Sequence, residues 1–282
     1  MTASLKDKQL KIGRVESVDE YLPQIICREV DPDFYSAVSQ NADHIYAAFC
    51  EGRVVGLVCI QAGEAAYAYV YIFPENRNRG YGYLAALAAE QASRAQCKTV
   101  ATSYDSNNEA ARNLACKCGF DKRHESVVMA YTGDKFDLPV LPIRKHRDED
   151  FFEAFTLSAE AFHVMRLQTG HDPNSKPYEP DEEARQLCLQ TAEERYVYFQ
   201  GDEIIGCAHV DGAEIDNVAI RIEQQGKGYG RSFVKYLTNE ILDKKIGQPY
   251  LFCLLSNKKA LRLYESIGYT EVRRNTYAQK QL

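Results

Sequence analysis

Gln225-Gly226-Lys227-Gly228-Tyr229-Gly230 decides the reading of this 282-residue chain, taken with Arg77-Asn78-Arg79-Gly80-Tyr81-Gly82. Gly228 follows Gly80 by 148 residues. A second pair of segments keeps almost the same interval. Residues 108–120 read NEAARNLACKCGF and residues 257–269 read NKKALRLYESIGY, with Gly268 standing 149 residues after Gly119. Two separate segments repeated at one interval indicate an internal duplication.

Read outward from these segments, both copies predict the same succession of elements. In the first, residues 45–50 and 54–60 form a hairpin about Glu51-Gly52-Arg53, and residues 65–73 form a Tyr-rich third strand. A polar loop at 74–79 leads to a helix over about 80–95, with Leu84, Leu87, Ala88 and Gln91 on neighbouring turns. Then come a strand at 99–104, a capped helix at 108–118 ended by Gly119, and a strand at 120–131. The second copy places strands at 195–200 and 203–210 about Gly201-Asp202, and a third at 213–220. A helix at 228–244, a strand at 250–254, a helix at 257–267 and a strand at 269–277 complete it. The predicted fold class is α+β, in two domains spanning 1–137 and 138–282. Gly133, Asp134, Pro139 and Pro142 interrupt the periodicity between them. An insertion at 171–180, rich in Pro, Asp, Asn and Ser, is predicted to form a substrate wall or lid.

Composition narrows the function. Two domains of about 140 residues can each bury a core. The net charge of −6 divides evenly, −3 in residues 1–139 and −3 in the rest, with no basic block. Such a chain is a poor nucleic-acid binder. No run of 18 apolar residues predicts a membrane span, and the polar residues 1–11 do not read as a signal peptide. Nine scattered cysteines lack the spacing of a zinc site, so no metal is expected; an odd, unpatterned set fits reduced thiols in the cytoplasm.

The glycine segment defines a chemistry. Its glycines let backbone N–H groups converge and a ligand approach closely, and the helix that follows directs its free N–H groups to the same place. That is a seat for a diphosphate, with Lys227 and Arg231 adding charge. A nucleotide P-loop would need GxxxxGK[ST], which neither copy supplies. Gly80-Tyr81-Gly82-Tyr83-Leu84-Ala85 formally matches a dinucleotide fingerprint. The six-residue loop before it and Phe233 at the third-glycine position of the second copy argue against that match.

The pattern resembles the GNAT superfamily of acetyltransferases. Its [QR]-x-x-G-x-[GA] signature is matched by Gln225, Gly228 and Gly230, and by Arg77, Gly80 and Gly82. Its second signature, N-x-x-A-x-x-x-Y-x-x-x-G-[FY], is matched in full by Asn257, Ala260, Tyr264, Gly268 and Tyr269. Asn108, Ala111, Gly119 and Phe120 match it except at the tyrosine. The resemblance covers most of both halves. It implies a mixed, mostly antiparallel sheet that splays between the fourth and fifth strands of each domain, flanked by helices.

The resemblance also implies acetyl-CoA as cofactor and an amine as acceptor, attacked directly. The pantetheine arm would lie along Val218, Ala219 and Ile220. The diphosphate would sit on Gln225, Gly226, Lys227, Gly228, Tyr229, Gly230 and Arg231, with Asn257 and Tyr264 nearby. A second CoA site would use Ile72, Arg77, Asn78, Arg79, Gly80, Tyr81, Gly82 and Asn108. Tyr264 fits the proton donor to the departing thiolate, against the plainer reading of a core tyrosine. Glu214 and Asp216 lie two apart on the fourth strand and share a face, so either is a candidate base, or either merely ends a strand in solvent. His209 on the neighbouring strand is a further candidate.

An ungapped comparison of the copies sets Ala66 against Glu214, Ala68 against Asp216 and Ala115 against Tyr264. The first half is therefore expected to have lost catalysis while keeping a phosphate seat, unless Tyr67 or Tyr104 compensates. The principal reading is acetyl transfer to a small or amino-acid-like amine in the second half. The alternative is a non-catalytic CoA-binding or scaffold protein. Acceptor walls are expected within residues 149–194, where Phe151, Phe152, Phe155, Phe162, Met165 and Tyr178 form an apolar set.

Overall fold

The computed structural model describes residues 9–26, 32–63, 65–171, 174 and 176–282. Two compact units emerge, one of Met1–Glu125 with Arg274–Leu282, the other of Ser126–Arg273.

The first unit runs β1 (Leu10–Gly13), α1 (Pro32–Ser39), β2 (Ile45–Cys50), β3 (Arg53–Gln61), β4 (Ala66–Ile72), α2 (Tyr81–Ser93), β5 (Thr99–Asp105) and α3 (Glu109–Lys117). Strand β6 (Asp121–Ala130) begins in this unit and ends in the other. The second unit continues with β7 (Ile143–Lys145), α4 (Phe151–Thr169), α5 (Glu182–Gln190), β8 (Arg195–Gln200), β9 (Glu203–Asp211) and β10 (Glu214–Ile220). It closes with α6 (Tyr229–Lys244), β11 (Tyr250–Leu254), α7 (Lys258–Ser266) and the start of β12 (Thr270–Gln281). The elements predicted for both copies therefore form, in order. Of the insertion at 171–180, Asp172, Pro173 and Ser175 lie outside the described residues, as do residues 1–8 of the polar N-terminus.

In the first unit the strands lie in the order β1-β2-β3-β4-β5 with β12 beyond, and Asn275–Gln281 of β12 pairs antiparallel with β5. In the second, the order is β7-β8-β9-β10-β11 with β6 beyond, and Ser126–Ala130 pairs antiparallel with β11. Each sheet is mostly antiparallel with one parallel pair, β4 with β5 or β10 with β11. The compact units thus differ from the sequential stretches 1–137 and 138–282. The strand that ends each repeat completes the sheet of the other repeat. A repeated sequence presents the same open edge twice, so local pairing preference does not distinguish the two closing strands.

Burial follows from periodicity. In the second unit α6 sets Phe233, Val234, Leu237 and Ile241 on one face of the sheet against Ile205, Ile215 and Leu251, all at most 2% exposed. On the opposite face α4 packs Ala154, Leu157 and Ala161 against Val197, Ile204 and Ala219. Truncating a core leucine such as Leu237 to Ala would cost about 2–5 kcal/mol. The first unit repeats the scheme with Ala85 and Ala89 of α2 on Ala66, Ala68 and Val58. Its other face is filled by Phe34 and Val38 of α1 with Leu57, Tyr71 and Phe73.

Candidate active site

β10 ends at Ile220, a single 3-10 turn follows at Ile222–Gln224, and Gln225 leaves it in an extended conformation. Gly226 and Gly228 take φ of +78° and +93°, a region that residues bearing a Cβ rarely adopt. A Cβ added at either would meet nothing within 4 Å, so no side chain plugs the turn. Gly228 caps α6 without a side-chain hydrogen bond, which leaves the helix's first N–H groups and its positive end facing the turn. Lys227 is exposed and donates to Gln224 Oε1 at 3.0 Å. Exposed Arg231 has no side-chain partner among the described residues.

Other motif residues shape the turn. Gln225 Nε2 donates to the Ile220 carbonyl at 3.0 Å, bracing the turn on the strand end. Gly230 lets the helix approach, since a Cβ there would lie 3.3 Å from Leu263 and 3.6 Å from Ile220. Tyr229 packs edge-on against Tyr198, with centroids 5.8 Å apart. The first unit repeats the arrangement. Arg77 Nε donates to Ile72 at 3.0 Å, Asn78 and Gly80 take φ of +60° and +83°, and Gly82 faces Leu114 and Ile72. Tyr81 is buried against its own core there. Asn257 and Asn108 both cap helices, accepting from the N–H of Ala260 and Ala111.

Beside the turn the strands part. The parallel ladder between β10 and β11 is limited to Glu214 with Tyr250, and that between β4 and β5 to Ala66 with Val100 and Tyr67 with Ala101. The edge of β10 toward β11 is therefore unladdered along Val218, Ala219 and Ile220.

A bulge separates the two copies. β10 pairs with β9 through Asp216↔His209 and then Ala219↔Cys207, so one extra residue stands on β10, and Asn217 takes φ of +52°. β4 pairs with β3 without interruption from Gln61↔Tyr67 to Gly56↔Ile72. Because side chains alternate with period two, one extra residue reverses the faces before it. Ile215 lies in the α6-side core, which puts Glu214 and Asp216 on the α4 side, whereas Ala66 and Ala68 pack toward α2. The ungapped alignment of those alanines with the acids is thus overturned. Counted from the conserved pairing ends, Tyr67 and Tyr69 occupy the places of Glu214 and Asp216, and their hydroxyls are bonded to each other at 3.0 Å. The alignment of Ala115 with Tyr264 stands apart from the bulge. Leu114 and Leu263 contact Gly82 and Gly230 alike, and the carbonyls of Ala115 and Tyr264 accept from Phe120 and Tyr269.

Tyr264 is half-buried on α7, and its hydroxyl makes no hydrogen bond among the described residues. Burial, then the proximity of Cys253 on β11, Tyr269 and Asp216 on β10, pushes its phenol well above the usual range. The ring packs against the core that holds Cys253 of β11 and Ile220 of β10, and the phenol stays protonated at neutral pH. Glu214 accepts from Tyr250 Oη at 3.2 Å, and exposed Asp216 accepts from Asn217 Nδ2 at 2.6 Å. His209, the cross-strand partner of Asp216, lies 3.2 Å from Glu194 Oε2 through Nε2. The pairing with Glu194 and the bulge at Asn217 were absent from the sequence reading. An Asp-Asn step inside a strand was the available signal, since Asn tolerates positive φ.

Between α4, α5 and the sheet lies a cavity of about 360 Å³ that reaches Asn217. Of the apolar set in residues 149–194, Phe151, Phe155, Phe162 and Tyr178 line it; Phe152 is 61% exposed, and Met165 is not among the lining residues.

Comparisons with known proteins bear on the fold. Residues 15–120 match the acetyltransferase (GNAT) family model, and residues 200–278 match that of FR47-like proteins. A GCN5-related N-acetyltransferase from Sphaerobacter thermophilus shares the fold at 15% identity and a TM-score of 0.65, over 97% of this chain and 95% of that one. A tandem GNAT protein from the clavulanic acid biosynthesis pathway does so at 12% identity and 0.64, over 98% of both. The fold is that of a tandem GNAT protein. In sequence, the chain is 27% identical over 120 residues to the ribosomal protein bS18 alanine N-acetyltransferase of Escherichia coli strain K12, covering 42% of this chain and 78% of that protein. Residues 15–120 are thus a GNAT acetyltransferase domain by family model, and residues 200–278 an FR47-like one.

Proposed function

We propose that the chain moves the acetyl group of acetyl-CoA onto a primary amine at the site in Ser126–Arg273, and that the site in the first unit does not carry out this transfer. The observation that carries the reading is Tyr264, neutral and unbonded, near the two strands that part. Residues 225–230 with Arg231 would hold the diphosphate, and the unladdered edge at Val218, Ala219 and Ile220 the pantetheine arm. When bound, acetyl-CoA supplies an acyl thioester open to attack by an amine. The chain's own work is protonic. Asp216, Glu214 or the His209–Glu194 pair takes the proton of the acceptor ammonium, directly or through water, and frees its lone pair. As the N–C bond formed and the C–S bond broke, Tyr264 Oη would give its proton to the departing sulfur, and the proton lost by the acylated nitrogen would return to that phenol through water, leaving a neutral amide and a free thiol.

In the first unit, alanine replaces that tyrosine and two tyrosines replace the acids, while a turn with positive φ at Asn78 and Gly80 persists. This contrast supports one catalytic site and one further CoA seat at Arg77, Asn78, Arg79, Gly80 and Gly82. A reducing, cytoplasmic setting belongs to the same reading, supported by eight free cysteines among the described residues. The test is thiol release from acetyl-CoA across an amine panel, with Tyr264→Phe as control. Turnover equal to wild type in that variant removes Tyr264 from the role. Stabilisation by CoA without thiol release from any amine would replace transfer with CoA binding alone.

A further inference from the structure

The cavity between α4 and α5 has a charge opposite to that of the chain. Net charge is −6, yet no Asp or Glu lines the cavity, while Arg166 and Arg195 both do. Neither guanidinium meets a carboxylate among the described residues. Arg166 lies over the rings of Phe162 and Tyr178, at 6.0 and 5.6 Å from their centroids, and Arg195 Nε donates to Thr191 Oγ1 at 2.8 Å. His146 reaches the same wall, and burial, with Arg195 and Arg144 near it, holds its imidazole below the usual range. Its Nδ1 is buried without a hydrogen-bond partner. The remaining walls are largely apolar, with Phe151, Phe155 and Leu187 among them.

Guanidinium groups against apolar walls lose part of their hydration, and here no carboxylate offsets the loss. A ligand that brings an anion restores the balance, and a carboxylate matches the guanidinium fork in two parallel bonds. Asn217, whose side chain is bonded to Asp216, also lines the cavity, and Asp216 stands two strands from Arg195 across His209. Asp216 is the acidic group that Asn217 brings to the cavity for a cationic amine. A polyamine would bring further cations toward the two arginines, and an aminosugar would press hydroxyls on phenyl rings.

Resting on the transfer reading for this site, we infer that the acceptor is a hydrophobic amino carboxylate. Its carboxylate is met by Arg166 and Arg195, its amine, on the same carbon, faces Asp216 two strands from Arg195, and its apolar body lies among Phe155, Phe162 and Leu187.

Titration calorimetry on the full chain tests the cavity without needing turnover. The probes are 3-phenylpropanoate, which has the carboxylate and no amine, phenethylamine, and spermidine. 3-Phenylpropanoate is expected to bind tightest of the three. Arg166→Gln and Arg195→Gln weaken it about tenfold to a hundredfold, the loss of a charge-assisted bond. Arg166→Lys loses less, and acetyl-CoA affinity is unchanged in all three variants. No binding of 3-phenylpropanoate, tighter binding of spermidine, or indifference to both glutamine variants overturns the inference, even where amines are acetylated. Binding that obeys the arginines while phenylalanine and leucine release no thiol leaves the cavity assignment standing and overturns the transfer reading.

Discussion

The side-chain amide of Gln225 donates to the Ile220 carbonyl at 3.0 Å, and Arg77 makes the same bond to Ile72 in the other unit. The first position of the glycine motif thus ties the turn to the end of the strand before it. Gln225→Ala should weaken acetyl-CoA binding several-fold and lower stability by about 0.5–1.5 kcal/mol, the net worth of one hydrogen bond. Gln225→Arg should retain both, because arginine already makes this bond at position 77. Calorimetry with acetyl-CoA and urea melts of the three proteins decide it.

Tyr264→Phe removes one oxygen from a half-buried ring and leaves the packing on Tyr269, 6.2 Å away between centroids, in place. The expected loss in kcat is about 10²- to 10⁴-fold, with acetyl-CoA affinity within twofold of wild type. The raised phenol carries a pH consequence. As a neutral acid it does not deprotonate below the ordinary tyrosine range, so kcat should not fall for this reason between pH 7 and 9. A decline there that the Phe variant abolishes would contradict the role.

Two glycines of the turn should respond differently to alanine. At Gly228 there is open space, but φ is +93°, so Gly228→Ala is strained by the backbone, about 1–2 kcal/mol. Gly230→Ala meets only the end of the Leu263 side chain at 3.3 Å, which a small rotamer shift relieves. Thermal melts should rank Gly228→Ala below Gly230→Ala. The reverse order would mean that α7 cannot give way.

Asp150, 4% exposed just before α4, receives both guanidinium nitrogens of Arg144 from β7, at 2.6 and 2.8 Å. Burial alone would raise its carboxyl, but Arg144 and the Arg147 N–H outweigh burial and hold it below the usual range. The stability it contributes is therefore complete above the unfolded value near 3.9 and is lost as pH falls through the lower folded value. Asp150→Ala should cost about 2–4 kcal/mol at pH 7, less than a fully buried pair because Arg144 keeps contact with water. It should also flatten acid unfolding below about pH 4. Urea melts at pH 7 and pH 3 on both proteins measure each effect.

Much of the fold was legible because its signals are local. Strands β8 and β11 form at the residues the alternation predicts, and α6 within one residue of its predicted start. Asn108 and Asn257 read as caps and are caps. The glycine turn was legible for the same reason, since positive φ is a property of single residues. The face that Glu214 and Asp216 present relative to the other copy was not legible. It depends on the extra residue at Asn217, which only pairing with β9 reveals. Nor was the cation-lined cavity, because Arg166 and Arg195 stand 29 positions apart on different elements.

By itself the sequence determined a duplicated α+β fold, a glycine-bearing turn before a helix in each copy, and a tyrosine present in one copy and missing from the other. Those are matters of short windows, where backbone preference and side-chain period act over a few residues. Only the tertiary structure decided which strand closes each sheet, which face the acids take, and what charge lines the cavity. Each of these is fixed by pairing or packing between segments far apart in the chain, where one inserted residue or one exchanged strand changes the outcome and leaves every local signal as it was.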